Sequence, residues 1–121
     1  MTSNPVKINR EMVESLYAKT LAGSLQWELN EARQPTVTIG NYKILLTNSF
    51  GGGSSKENLY ILSAFDEDID NFDDELLDDG FDEPKGFETY FELMKELRLK
   101  AFRKAVGADK AVSEIMNVLR R

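Results

Sequence analysis

Along the chain the spacing of apolar residues changes near Gly23 and becomes helical again after residue 85. Before Gly23, Val13, Leu16, Tyr17, Thr20 and Leu21 recur at the three- and four-residue steps of one helical face. Asn9 is a favoured N-cap type, Ile8 and Val13 have the spacing of a hydrophobic staple, and Gly23 supplies a stop. The pattern predicts a helix from this cap to residue 22, behind a loose arm of residues 1–8. From Leu25 the period drops to two. Leu25, Trp27 and Leu29 alternate with Gln26, Glu28 and Asn30, as in a half-buried strand. Residues 30–35 read as a turn, and 36–39 and 42–47 as β-branched and apolar strands. Gly40-Asn41 between them fits a two-residue II′ hairpin. Residues 48–56 (NSFGGGSSK) read as a loop, and 59–65 as a further strand apolar on both faces. Consecutive strands with short links predict an antiparallel meander of about four strands.

Helical spacing returns after residue 85. Phe87, Tyr90, Phe91, Met94, Leu97, Ala101, Phe102 and Ala105 form a wide apolar stripe, which predicts a long helix over 86–106. Gly107 interrupts it. A shorter helix over 108–119 follows, with Val112, Ile115, Met116 and Leu119 expected to face inward. The fold class is therefore α+β, in one domain over residues 1–121: an N-terminal helix, the sheet, a connector at 66–83, and one long and one short C-terminal helix. The connector, DEDIDNFDDELLDDGFDE, carries eleven carboxylates and no lysine or arginine. Two readings stay open for it. Phe65, Ile69, Phe72 and Leu76 fall at helical spacing; alternatively, Asp66-Glu67-Asp68 turn the chain and 69–72 lie back along the sheet. Asp78-Asp79-Gly80 end either.

Composition narrows the chemistry. With 121 residues, 41% of them hydrophobic, the chain can bury a core without disulfide or metal staples. Cysteine and histidine are both absent, which excludes thiolate chemistry, Cys-ligated zinc and Ser-His-Asp catalysis. No cofactor is indicated, and catalysis would fall to Asp, Glu, Lys, Tyr, Ser or Thr. No apolar run approaches the roughly 18 residues of a bilayer span, and MTSNPVKINRE lacks the apolar core of a signal peptide. A soluble, cytoplasmic protein away from membranes is expected. The net charge of −6 conceals a polarity: residues 57–84 carry −12, and the remainder sets fifteen cations against nine anions. A surface so divided does not suit nucleic acid, which needs a dominant basic face.

Several stretches invite chemistry. Asp66, Asp68 and Asp70 match the first, third and fifth positions of a calcium-binding EF-hand loop, but its eighth position is Asp73 and its twelfth Leu77, where a bidentate glutamate is required. No metal site is expected. GGGSSK has the wrong spacing for a P-loop and precedes a strand. Trp27 and Tyr42 read as core residues. Arg98 sits inside the apolar stripe, four residues from both Met94 and Phe102, so a core-facing guanidinium needs an acidic partner. A structural ion pair with the acidic connector is expected. The outer carboxylates Asp73, Asp74, Asp78 and Asp79 are the expected docking residues for a protein partner with a basic surface, with Ile69, Phe72, Leu76, Leu77 and Phe81 as apolar anchors. No pair of carboxylates is singled out for acid–base work.

The order of a helix ending in KTLAG, then LQWEL, TVTIGNYKILL, LYILSAFDED and a closing helix with YFEL and LR resembles small bacterial and phage-borne domains of uncharacterised function. That resemblance implies no catalytic residues. At fold level the plan is also similar to type III secretion chaperones, which are small, acidic α/β homodimers; they place a helix within the strand series, whereas here four strands precede the closing helices. The expected function is a non-enzymatic protein-binding or regulatory domain. The alternatives are a chaperone-like homodimer and a small carboxylate-dependent enzyme.

Overall fold

The sheet holds five strands where the pattern predicts about four. The computed structural model describes residues 5–79 and 83–121, and its order is α1 (Pro5–Leu21), β1 (Glu28–Leu29), β2 (Pro35–Ile39), β3 (Tyr42–Gly51), β4 (Ser54–Ser63), β5 (Asp68–Asp73), α2 (Asp74–Asp78), α3 (Tyr90–Val106) and α4 (Ala108–Leu119). This is the expected α+β plan. Spatial order follows chain order, and every neighbouring pair is antiparallel. The extra strand is β5, so the acidic connector turns back along the sheet rather than forming one long helix. Residues 1–4 of the expected arm, and Gly80 with Phe81, lie outside the described residues.

Two glycine turns set the register. Gly40 takes a φ of 62° between the paired Ile39 and Tyr42, as a II′ connection requires of its first central residue. Gly52 and Gly53, at 61° and 80°, both occupy the left-handed region between the paired Gly51 and Ser54, the I′ pattern. Residues 48–56 are therefore not a loop. They extend β3 and β4 into a polar hairpin whose tip carries an exposed Phe50. With no apolar alternation there, the sequence pattern has no signal to report.

Helix α1 starts at Pro5, so Asn9 lies inside it rather than capping it, and Ile8 is half exposed. Proline is tolerated in a first helical turn because its missing N–H has no intrahelical partner there. The end is as expected: Gly23, at φ 74°, donates to Thr20 O while Ser24 donates to Lys19 O, a Schellman stop. Thr20 is buried, donates to Leu16 O and accepts from the Trp27 indole N–H at 3.0 Å, so the indole packs in the core with its polar atom satisfied. Tyr42 is half exposed and lies outside that core.

One sheet face carries Val37, Ile44, Leu46, Leu59 and Phe72 into a core completed by Val13 and Leu16 of α1, Leu77 of α2, and Leu93, Met94, Leu97 and Ala101 of α3. Helix α3 lies against β1 to β4, and α1 packs on α2 and α3. The other sheet face has no helix on it among the described residues. There Leu29, Thr36, Lys43, Leu45 and Leu62 border an open depression of about 660 Å³.

The largest departure from expectation is α4. Val112, Ile115, Met116 and Leu119 do not face inward; they are 53%, 58%, 37% and 70% exposed. Gly107, at φ 68°, ends α3 and starts α4, and α4 touches no element but α3 among the described residues. The helical period reports which residues share a face and says nothing about whether that face meets the core. No helix among the described residues is long and apolar enough to cross a membrane.

Candidate functional site

The acidic connector becomes an edge made of β5 and α2. Leu59 pairs with Phe72 in the sheet register, and Phe72 is buried. One turn into α2, Leu77 is wholly buried against the helices, and its carbonyl accepts from Arg10 Nε and Nη2 at 2.8 and 2.6 Å. The apolar residues expected at helical spacing behave differently: Phe65, Ile69 and Leu76 are 86%, 54% and 41% exposed. Two anchors, Phe72 and Leu77, therefore hold the segment down.

Three of the four carboxylates expected to dock a partner are tied into the fold. Asp73 caps α2, accepting from Leu76 N at 3.1 Å. Asp78 accepts from Tyr90 N at 2.7 Å and Phe91 N at 3.3 Å, which satisfies the first N–H groups of α3 alongside the Thr89 cap. Asp74 is buried, and its Oδ1 accepts from Glu57 N at 2.7 Å. It faces the protein, not solvent. Asp79 stays exposed, as do Asp68, Asp70 and Glu75. With Asp66, Glu67 and the exposed side of Asp78 they make up the outward acidic surface, and Lys56 lies within 3.9 Å of Asp73 and 3.3 Å of Glu75. An open depression of about 600 Å³ surrounds α2, bordered by Glu75, Leu76 and Asp79.

Arg98 is paired, but not with the connector. Its Nε and Nη2 donate to Glu57 Oε1 and Oε2 at 2.7 and 3.2 Å. Glu57 is 2% exposed and the Arg98 side chain 20%. This single β4 residue thus binds α3 through its carboxylate and α2 through its backbone N–H. The sequence does hold a signal for it: Glu57 is in phase with Leu59 and Ile61, so extending their alternation by one step turns it inward.

The Asp74 carboxyl is perturbed. Burial pushes it above the usual range; the Glu57 N–H and its own N–H pull it part of the way back, and the Asp73 and Asp78 charges push it up again. A native carboxyl with a raised pKa binds more protons than the unfolded chain between the two values, so its contribution to stability is lost as pH rises through that window. Asp74→Asn keeps the acceptor and removes the charge. Its stability at neutral pH is expected to equal or exceed that of the parent, with the parent gaining on it as the pH falls toward about 4. Asp74→Ala orphans the Glu57 N–H and is expected to cost about 1–3 kcal/mol. Urea denaturation of both variants across pH measures this, and a large loss for the asparagine variant at neutral pH would contradict it.

The calcium-loop positions do not converge. Asp66 occupies a turn at φ 64° and pairs with Lys43 at 2.9 Å, while Asp68 lies on β5 and accepts from Asn71 Nδ2. Among the described residues no group of three or more His, Cys, Asp or Glu is placed to hold a metal ion. No family model, curated protein or solved structure matches this chain.

Proposed function

We propose that the protein is a non-enzymatic binding domain that docks a basic protein surface through its β5–α2 edge. The observation that carries this reading is the division of labour among the carboxylates. Asp73, Asp74 and Asp78 accept from N–H groups three or more residues away and fix the edge, while Asp68, Asp70, Glu75 and Asp79 are exposed on it, Asp70 bonded only to the N–H of the next residue at 2.8 Å. A rigid edge holds its charges in place before the partner arrives, so little ordering entropy is lost on docking. Ile69 and Leu76, exposed among those charges, add apolar contact. Complementary charge speeds encounter and selects partners by sign.

The test is titration with an arginine- and lysine-rich peptide. Binding is expected to weaken as salt rises. It should be lost when Asp68, Asp70, Glu75 and Asp79 are replaced by their amides, with thermal stability kept. Equal affinity of the amide variant would sink the reading.

A further inference from the structure

Helix α4 carries an apolar stripe that the described residues leave uncovered. Val112, Ile115, Met116, Val118 and Leu119 are each more than a third exposed. Their exposed surface is on the order of 500 Å², as large as the biggest apolar patch of an ordinary monomer. The helix is tied to α3 at its base. Arg103 Nη2 donates to Asp109 at 2.9 Å across the Gly107 bend, and that contact holds the Asp109 carboxyl below its usual range. We infer that α4 docks on a second copy of this chain, its stripe lying against the β5–α2 edge of that copy. This rests on reading the edge as a docking surface, and names what docks there.

Charge points to that occupant. From residue 100 onward, Lys100, Arg103, Lys104, Lys110, Arg120 and Arg121 outnumber Asp109 and Glu114; ion pairs to Glu96, Asp109 and Glu114 engage the first four, and Arg120 and Arg121 add positive charge at the end of the stripe. The stripe therefore rises from a basic surface, whereas exposed Ile69 and Leu76 sit among carboxylates. The two surfaces match in both polarity and apolar content. Pairing α4 with α4 would instead bring two basic ends together.

Geometry and area agree. The seventeen residues of α3 span about 25 Å. Asp78 of α2 binds the first turn of α3, and α4 leaves from its last, so the complementary surfaces lie at opposite ends of one helix. A two-fold pair with antiparallel α3 helices brings each α4 to the edge of the other copy. The contact is made twice, and the assembly closes. Two such contacts cover about 2,000 Å², the upper end of a standard interface, where α4 on α4 would cover about 1,000 Å².

The chain contains no cysteine, so single cysteines report the pairing directly. Sedimentation is expected to show a dimer that weakens about tenfold between low and high salt. Ile115→Asp with Leu119→Asp, both at exposed positions, should weaken it at least about 100-fold while the monomer keeps the parent's circular dichroism spectrum. Mixing Ile115→Cys with Leu76→Cys under mild oxidation should give the mixed disulfide in excess of either homodimer. A dominant Ile115→Cys homodimer, or a dimer untouched by the aspartates, overturns the inference. So does a monomer at every concentration. The peptide titration then separates the two readings: if the peptide still binds, the edge reading stands alone, and if it does not, both fall.

Discussion

Replacing Arg98 with methionine is expected to cost about 3–5 kcal/mol, because it leaves the Glu57 carboxylate buried and unpaired. Against a typical total of about 5–15 kcal/mol that is a large fraction of stability. For a domain of this length it corresponds to a fall of about 10–20 °C in Tm. The reverse change, Glu57→Met, should cost less, since the Arg98 side chain keeps 20% of its surface in water and can reach further out. Changing both residues to methionine removes both desolvation penalties and should restore stability to near the parent or above it. A double-mutant cycle followed by urea unfolding separates these outcomes. Equal losses in both single variants and the double would show that packing, not charge pairing, dominates at this site.

The same pair marks how far the sequence could be read. Arg98 in the apolar stripe of α3 announces that a buried cation needs a partner, and the structure supplies one. The identity of that partner depends on where a strand begins. The polar stretch before Leu59 has too few apolar residues to declare a strand, so Glu57 falls between the expected loop and the expected strand. The meander, the Schellman stop at Gly23 and helix α3 were legible because each rests on local spacing or on one glycine. β5 was one of two open readings, since Phe72 satisfies both a helical and an alternating pattern. The roles of Asp73, Asp74 and Asp78 were not legible. A carboxylate that caps a helix and one that meets solvent have the same composition, and only the fold brings Tyr90 N within 2.7 Å of Asp78. For α4 the pattern reports which residues share a face and not what that face meets.

Leu77→Ala is the second large effect expected, about 2–5 kcal/mol, and it tests whether the acidic edge belongs to the core. Leu77 is wholly buried in the same cluster as Leu93 and Leu97, whereas its neighbour Leu76 is 41% exposed. Leu76→Ala should therefore change stability by no more than about 0.5 kcal/mol. The contrast between adjacent leucines of one short helix controls for helix propensity. The backbone around Leu77 has its own ties, from Arg10 to its carbonyl and from Asp78 to the N-terminus of α3. A cavity there should thus loosen α1, α2 and α3 together. Hydrogen exchange is expected to quicken across all three helices in the Leu77→Ala variant, with a matching fall in the global unfolding midpoint. Faster exchange confined to Asp74–Asp78 with an unchanged midpoint would show instead that α2 is an appendage. A movable α2 could not hold Glu75 and Asp79 in fixed positions, so the preorganised edge proposed as the docking surface depends on the fate of this one buried side chain.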